Sequence, residues 1–201
     1  NNMYRIREIK YKPNKDYLVY YPQIEGMKNA ALEANVNERL KQLSQVKPID
    51  SSAQLEYNYG GDFSIEFFKK NLLVLELNGY YYPLGAIHGM PIKTYEHIDL
   101  VTGRFYELKD LFKENSNYVQ VLSDIIGEQI KKGIQHFYVF PGSYKGISKD
   151  QPFYVDENAL YIYFKPYQIA PFAAGFPTFK IPYKEILNII NVNGEFWRSF
   201  N

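Results

Sequence analysis

Two histidines and a carboxylate lie close together near the middle of the chain, where they could form a polar centre. His88 lies in a glycine-rich stretch, and His97 and Asp99 follow in a predicted strand. Because successive side chains of a strand point to opposite faces, Tyr95, His97 and Asp99 share one face. Imidazole and carboxylate groups can serve as a general acid and base in a hydrolase, or bind a metal ion.

The same residues also have a structural interpretation, and the sequence leaves both open. A zinc site needs three or four converging ligands, and the spacing of His88, His97 and Asp99 matches no zinc motif. His88 could instead cap the glycine turn through a backbone hydrogen bond. His97 could pair with a carboxylate or a tyrosine across a hairpin. We therefore predict no metal and no cofactor, and we assign no catalytic residue.

Other catalytic patterns are weak in this chain. No Gly-x-Ser-x-Gly elbow and no phosphate-binding glycine loop occurs. A pair of carboxylates for glycoside hydrolysis could come from the predicted strands that carry Glu56, Asp62, Glu66 and Glu76. Carboxylates that alternate with apolar residues are typical of the solvent-facing side of a sheet, which is the alternative here.

The most informative segment comes near the C-terminus, at residues 166–177. It contains three prolines and a glycine, which exclude a regular helix or a central strand, yet it is rich in aromatic and apolar residues. We expect an ordered irregular loop that presents Tyr167, Pro171, Phe172 and Phe176 to a partner, since rigid rings make good contact residues. Alternatively, Phe172 and Phe176 fill the core beneath the loop.

Composition excludes several functional classes. The 201 residues contain 23 Lys and Arg against 22 Asp and Glu, a balance that argues against nucleic acid as a partner. No run of about 18 apolar residues occurs, so we expect no membrane-spanning segment. The chain has no cysteine, which excludes disulfides and thiolate chemistry, and its 20 tyrosines favour sheets with one face in water.

Periodicity predicts the elements that would position these residues. Apolar residues recur at helical spacing over residues 27–45 and 117–133, with Asn117 as N-cap and Gly133 as C-terminal cap. Alternating or apolar runs predict strands before, between and after these helices, broken at Pro22 and around Gly60, with an irregular stretch over residues 79–91. A short last helix is expected to begin at Pro182.

This order of elements predicts an α+β fold. We expect antiparallel sheets with two long amphipathic helices and a short C-terminal helix. The chain divides into residues 1–90 and residues 91–201, without a linker, so both parts are expected to form one compact unit with a shared core.

Several segments, in this order, resemble a bacterial family that pairs DUF4163 and DUF3298 domains. The N-terminal match is Tyr-Pro-Gln-Ile at residues 21–24, and the middle match is Gly-Ala-Ile-His-Gly at residues 85–89. Residues 99–103 and 108–112 continue the similarity, and residues 160–190 resemble the family most. On this basis, residues 1–90 would be the DUF4163-like part and residues 91–201 the DUF3298-like part.

The resemblance implies a location outside the bacterial cytoplasmic membrane. The family includes the extracellular part of RsiV-type anti-sigma factors, which binds lysozyme, and the N-terminal region of PdaC-type peptidoglycan deacetylases. It implies a non-catalytic extracellular or cell-envelope module that recognises a lysozyme-like protein or peptidoglycan. The alternative is a cell-wall polymer hydrolase or metal-binding domain centred on His88, His97 and Asp99, because a fold alone does not determine function.

Overall fold

The computed structural model describes residues 3–201, which form two compact units. The first unit ends at Phe105 and the second begins at Tyr106. The regular elements of the first unit are β1 (Arg5–Asn14), β2 (Tyr17–Glu25), α1 (Ala30–Leu43), β3 (Tyr57–Lys69), β4 (Leu72–Pro83) and β5 (Met90–Asp99). With mostly antiparallel strands and few helices, the chain has the mixed α+β fold that its sequence predicts.

The second unit has three short strands and two helices within the described residues. They are α2 (Tyr118–Lys132), β6 (Phe153–Val155), β7 (Ala159–Tyr163), β8 (Thr178–Pro182) and α3 (Glu195–Phe200). Single 3₁₀ turns lie at Leu108–Leu111, Phe172–Ala174 and Tyr183–Glu185. None of the helices in residues 3–201 has both the length and the apolar composition needed to cross a lipid bilayer.

The five strands of the first unit pair in chain order, and one of the pairs is parallel. The β1–β2, β3–β4 and β4–β5 pairs are antiparallel, whereas β2 and β3 run in the same direction with Tyr17 opposite Tyr59. The expectation of purely antiparallel sheets is therefore wrong at this pair. The chain passes through α1 between the two strands, and a connection of that length allows a parallel return.

Proline and glycine interrupt the strands less than the sequence predicts. Strand β2 continues through Pro22, which lies opposite Glu8, and β3 runs unbroken through Gly60 and Gly61. Residues 79–83, expected to be irregular, belong to β4. Cross-strand pairing along both edges of β4 outweighs the weak strand preference of glycine there.

Helix α1 is held on the sheet by polar and apolar contacts. The Asn29 side chain caps its first turn by accepting a hydrogen bond from the Leu32 amide at 3.0 Å. The Asn37 side chain makes two hydrogen bonds with the backbone of Ile24. Its Oδ1 accepts from the Ile24 amide at 2.8 Å, and its Nδ2 donates to the Ile24 carbonyl oxygen at 2.9 Å. The buried cluster that includes residues of α1 comprises Ile24, Met27, Val36, Leu40, Leu73, Leu75, Leu77, Ile98 and Leu100.

Helix α2 ends where the sequence predicts and begins without the predicted cap. Leu122 and Ile126 are buried, and Gly133 terminates the helix in the left-handed conformation with φ 68°. Asn117 precedes the helix but has φ 55° and makes no capping bond through its side chain. A residue in this conformation cannot direct its side chain at the first turn as an extended N-cap does.

The last part of the chain differs from the expected helix at Pro182. Residues 178–182 form β8, which pairs with β7 and places Ile162 opposite Phe179. Phe179 and Ile181 are buried on this strand, so burial at alternate positions decides its conformation. After Pro182 the chain makes only a single 3₁₀ turn, and the short C-terminal helix α3 begins at Glu195 instead.

Candidate functional site

The predicted polar residues of the first unit occupy different environments. His97 is 1 % exposed and lies opposite Val74 on β4, and burial lowers its pKa to about 3, so its imidazole is neutral near pH 7. His88 lies in the exposed loop after β4, with Nδ1 3.0 Å from the Gly89 carbonyl oxygen. This backbone contact is the one that the structural interpretation of His88 predicts.

Asp99 and Tyr95 are engaged in separate local structures. Asp99 accepts hydrogen bonds from the amides of Val101 at 2.9 Å and Thr102 at 3.1 Å, which is an Asx-type turn. The Tyr95 hydroxyl donates to Glu76 at 2.6 Å on the neighbouring strand. Within residues 3–201, no three histidine, aspartate or glutamate side chains converge in a way that could hold a metal ion.

The aromatic segment, residues 166–177, is tied to the rest of its unit by backbone and side-chain hydrogen bonds. The Ile169 carbonyl oxygen accepts from the Phe140 amide at 2.8 Å and from the Ser143 hydroxyl at 3.2 Å. At the far end, the Phe164 amide donates to the Pro177 carbonyl oxygen at 2.9 Å. These bonds, together with buried Ile169, make the aromatic segment an ordered part of the second unit.

The four predicted contact residues of the aromatic segment are exposed to different degrees. Tyr167 is 51 % exposed, with φ 69°, and its ring packs on Phe172 with centroids 5.3 Å apart. Pro171, Phe172 and Phe176 are half-buried. The rings of Phe176 and the buried Tyr163 pack edge-to-face, with centroids 6.2 Å apart. Phe176 therefore supports the segment and presents only part of its ring to solvent.

A groove of about 700 Å³ opens beside the aromatic segment. Its lining comes from residues 134–137, from the chain between Ala174 and Glu185, and from Gln129 of α2. Phe137 and Phe179 meet edge-to-face in its lining, with ring centroids 5.5 Å apart. A volume of this size suits a small organic ligand or part of a polymer.

Polar groups surround this aromatic floor. Gln129 donates from Nε2 to the Lys180 carbonyl oxygen at 2.9 Å, which fixes its amide against β8. Gln135 also lines the groove; its Oε1 is buried, and no hydrogen-bond donor among residues 3–201 reaches it. His136, Lys180 and Glu185 are exposed residues that complete the lining, so the groove carries charges of both signs.

Two partly buried tyrosines of the second unit act as neutral structural anchors. The Tyr183 hydroxyl donates to the Asp156 carbonyl oxygen at 2.6 Å, and burial, then the Asp156 charge, raises its pKa far above the usual range. The Tyr144 hydroxyl donates to the Ser123 carbonyl oxygen at 2.7 Å, and burial raises its pKa to about 12. Neither phenol can therefore supply a proton acceptor at neutral pH.

Two features of the surface are not predicted by the sequence. The groove combines residues 134–137 with β8, and neither the strand nor the burial of the Gln135 Oε1 can be derived from local patterns. The loop between β4 and β5 exposes Leu84 at 81 % and Ile87 at 98 %, where the sequence suggests only an irregular stretch. The apolar character of both residues within a turn is the signal that could have identified them.

Comparison with known proteins relates the second unit to a named family. Residues 109–184 match the model of DUF3298, a protein family of unknown function. The matched range includes α2, all three strands of the second unit and the aromatic segment.

Two curated proteins of Bacillus subtilis are similar to this chain. The peptidoglycan-N-acetylmuramic acid deacetylase PdaC is 25% identical over 162 residues, which cover 77% of this chain and 34% of the deacetylase. The anti-sigma-V factor RsiV is 26% identical over 199 residues, covering 91% of this chain and 68% of that protein. The chain therefore spans about a third of the deacetylase and about two thirds of the anti-sigma factor.

Two crystal structures of DUF3298 family members share this fold. The protein from Bacteroides fragilis superposes with a TM-score of 0.67 at 17% identity, covering 98% of this chain and 97% of that one. The protein from Pseudomonas aeruginosa has a TM-score of 0.64 at 15% identity, covering 96% of both chains. The family match thus covers residues 109–184, and the two structures show that this chain shares the fold of DUF3298 family members.

Proposed function

We propose that this protein is a non-catalytic binding or sensing module of the bacterial cell envelope. Its relatives support this assignment, because one is named for its action on peptidoglycan and the other is an anti-sigma factor. Both comparisons cover most of this chain, so the similarity is not confined to the DUF3298 domain. The proposed location is extracellular or within the envelope, where a wall-directed module meets its ligand.

The aromatic segment is the observation that carries this proposal. Its backbone is anchored at Ile169 and Pro177, while the Tyr167 ring remains half exposed and packs against Phe172. An aromatic ring that is already held in place loses little conformational entropy on binding, which makes it an effective contact residue. Tyr167, Pro171, Phe172 and Phe176 are the proposed contact residues.

The proposed ligand is peptidoglycan or a lysozyme-like protein that acts on it. The groove beside the aromatic segment offers apolar surface and amide groups, which suit a glycan. The exposed Tyr167 suits either ligand, since tyrosine is enriched at protein interfaces as well. A hydrolase centred on His88, His97 and Asp99 gains no such support, because these residues serve the separate local structures described above.

Retention experiments test the proposal with both ligands. The purified protein should sediment with insoluble peptidoglycan, or be retained on immobilised lysozyme, above the level of a bovine serum albumin control. Tyr167→Ala should weaken that retention, while Tyr81→Ala, which removes a 39 % exposed tyrosine from the first unit, should leave it unchanged. Retention on neither material would exclude both ligands.

A further inference from the structure

We propose that the groove between residues 134–137 and β8 is a subsite for an acetamido sugar, with Gln135 as its specificity-determining residue. This inference rests on the proposed function, since it selects the glycan over the protein as the ligand of this groove. Of the four contact residues of the aromatic segment, only Phe176 also lines this groove.

The lining favours a ligand that has both apolar faces and hydrogen-bonding groups. Phe137 and Phe176 provide partly exposed aromatic surface above the buried Phe179, and Pro182 extends it. The C–H faces of a sugar ring, and the methyl group of an acetamide, pack well on such surface. A purely polar ligand would place its hydrogen-bonding groups against these rings, where they find no hydrogen-bond partner.

The charges of the lining argue against a strongly ionic ligand. Lys180 and Glu185 bring one cation and one carboxylate, so the groove has no excess of positive charge for a phosphate. The remaining polar groups include the neutral amides of Gln129 and Gln135. Neutral amides can exchange hydrogen bonds with hydroxyl and acetamide groups without the cost of desolvating an ion.

Gln135 supplies the argument for a donor on the ligand. Its Oε1 is buried without a donor among residues 3–201, and an unsatisfied buried acceptor is an unfavourable arrangement that native proteins rarely keep. A rotation of the Gln135 amide toward the groove therefore sacrifices no hydrogen bond at that oxygen. The N–H of an acetamide group, placed over the aromatic floor, would provide the missing donor.

A titration with two tetrasaccharides tests this subsite. Chitotetraose and cellotetraose share the same linkage and ring size, but only chitotetraose carries acetamido groups. Changes in the ¹H–¹⁵N NMR spectrum should localise chitotetraose to residues 134–137 and β8. Cellotetraose cannot make the acetamide hydrogen bond, and the loss of one hydrogen bond between polar groups should weaken its binding at least about tenfold.

Variants separate a binding role of Gln135 from a structural one. Gln135→Leu should abolish the preference for chitotetraose while its melting temperature stays at or above that of the unsubstituted protein, because it removes an unsatisfied acceptor. Gln120→Leu, the same change at an exposed position on α2, should bind normally. Phe137→Leu should weaken both oligosaccharides, as it removes aromatic surface from the floor.

Three results would overturn the assignment: equal binding of the two tetrasaccharides, an unchanged preference in Gln135→Leu, or no binding of either. If neither oligosaccharide binds but the protein is still retained on lysozyme, the sugar subsite is wrong and the proposed binding function stands. If the protein is also not retained on lysozyme or on peptidoglycan, the proposed function fails as well.

Discussion

The Phe140 amide donates a hydrogen bond to the Ile169 carbonyl oxygen at 2.8 Å, and this bond fastens the aromatic segment to the chain that follows α2. Ser143 reinforces the junction, because its hydroxyl lies 2.7 Å from the Phe140 carbonyl oxygen and 3.2 Å from that of Ile169. The order of the aromatic segment therefore depends on contacts with residues distant in sequence.

Ser143→Ala should destabilise the protein by about 1 kcal/mol, since it removes the side-chain contribution to this junction. Urea unfolding followed by circular dichroism measures the change. Ser148→Ala, at an exposed position in the same loop region, should have no measurable effect. Equal stability of the two variants would mean that Ser143 does not hold the junction.

Gly79→Ala should destabilise the first unit. A Cβ at this position would lie 2.2 Å from the Tyr59 hydroxyl oxygen and 3.0 Å from its Cζ, so the ring must move. We expect a loss of about 1–3 kcal/mol in the free energy of unfolding, as for other overpacked sites. Gly60→Ala is the matched control in the facing strand, where a Cβ meets nothing within 4 Å.

Tyr59→Phe tests the cause of the loss at Gly79. Without the hydroxyl, the nearest ring atom lies 3.0 Å from the new Cβ, so the combination Gly79→Ala with Tyr59→Phe should recover part of the lost stability. A double-mutant cycle measured by urea unfolding gives the coupling between the two sites. Strict additivity would contradict the proposed clash.

Glu96 and His97 are neighbours on β5, and burial shifts their pKa values in opposite directions. It raises the pKa of Glu96 from 4.5 to about 7, against the opposing charge of Arg39, and lowers that of His97 from 6.5 to about 3. The folded state thus binds more protons at Glu96, so stability falls as pH rises from 4.5 to 7. It binds fewer at His97, so that contribution is lost as pH falls from 6.5 to 3.

Between pH 4.5 and 6.5 the two effects oppose each other, and we expect them largely to cancel. In Glu96→Gln only the His97 effect remains, so the free energy of unfolding should rise with pH over that window by about 1.4 kcal/mol per unit. Urea unfolding at several pH values measures the slope, and Glu38→Gln, at an exposed position on α1, should retain the profile of the unsubstituted protein. Identical profiles for Glu96→Gln and the unsubstituted protein would contradict the assignment.

Two glycines of α2 should respond oppositely to alanine. Gly133 caps the helix with φ 68°, a conformation that costs alanine about 1 kcal/mol. Gly127 lies inside the helix, where a Cβ would make an ordinary contact of 3.8 Å with the Tyr144 ring, so alanine should stabilise it by about 0.5–1 kcal/mol. Thermal melts of both variants give the sign of each change in melting temperature. A change of the same sign in both variants would contradict the different roles of the two glycines.

Elements specified by local patterns could be predicted from the sequence. The hydrophobic spacing and Gly133 locate α2 to within a residue at each end. Strand β8 could not be predicted in this way, because it depends on pairing with β7. Neither could the continuous pairing of β3 through Gly60, which the neighbouring strand β4 provides.

The candidate site was predictable only in part. The prolines and rings of the aromatic segment identify an irregular surface loop, and the half-exposed Tyr167 lies within it. The groove depends on Phe137 meeting Phe179 and on the buried oxygen of Gln135, and both follow from tertiary contacts between segments about 40 residues apart, beyond the reach of periodicity.

The role of the aromatic segment as the contact surface is tested most directly by the binding of the double variant Tyr167→Ala/Phe172→Ala to peptidoglycan and to lysozyme, compared with Tyr81→Ala. Each protein is titrated against fixed amounts of both materials after its fold has been verified by circular dichroism. We expect the double variant to lose at least about tenfold in affinity for the ligand that the unsubstituted protein binds, and Tyr81→Ala to bind normally. Undiminished binding by a folded double variant would show that the aromatic segment is not the contact surface.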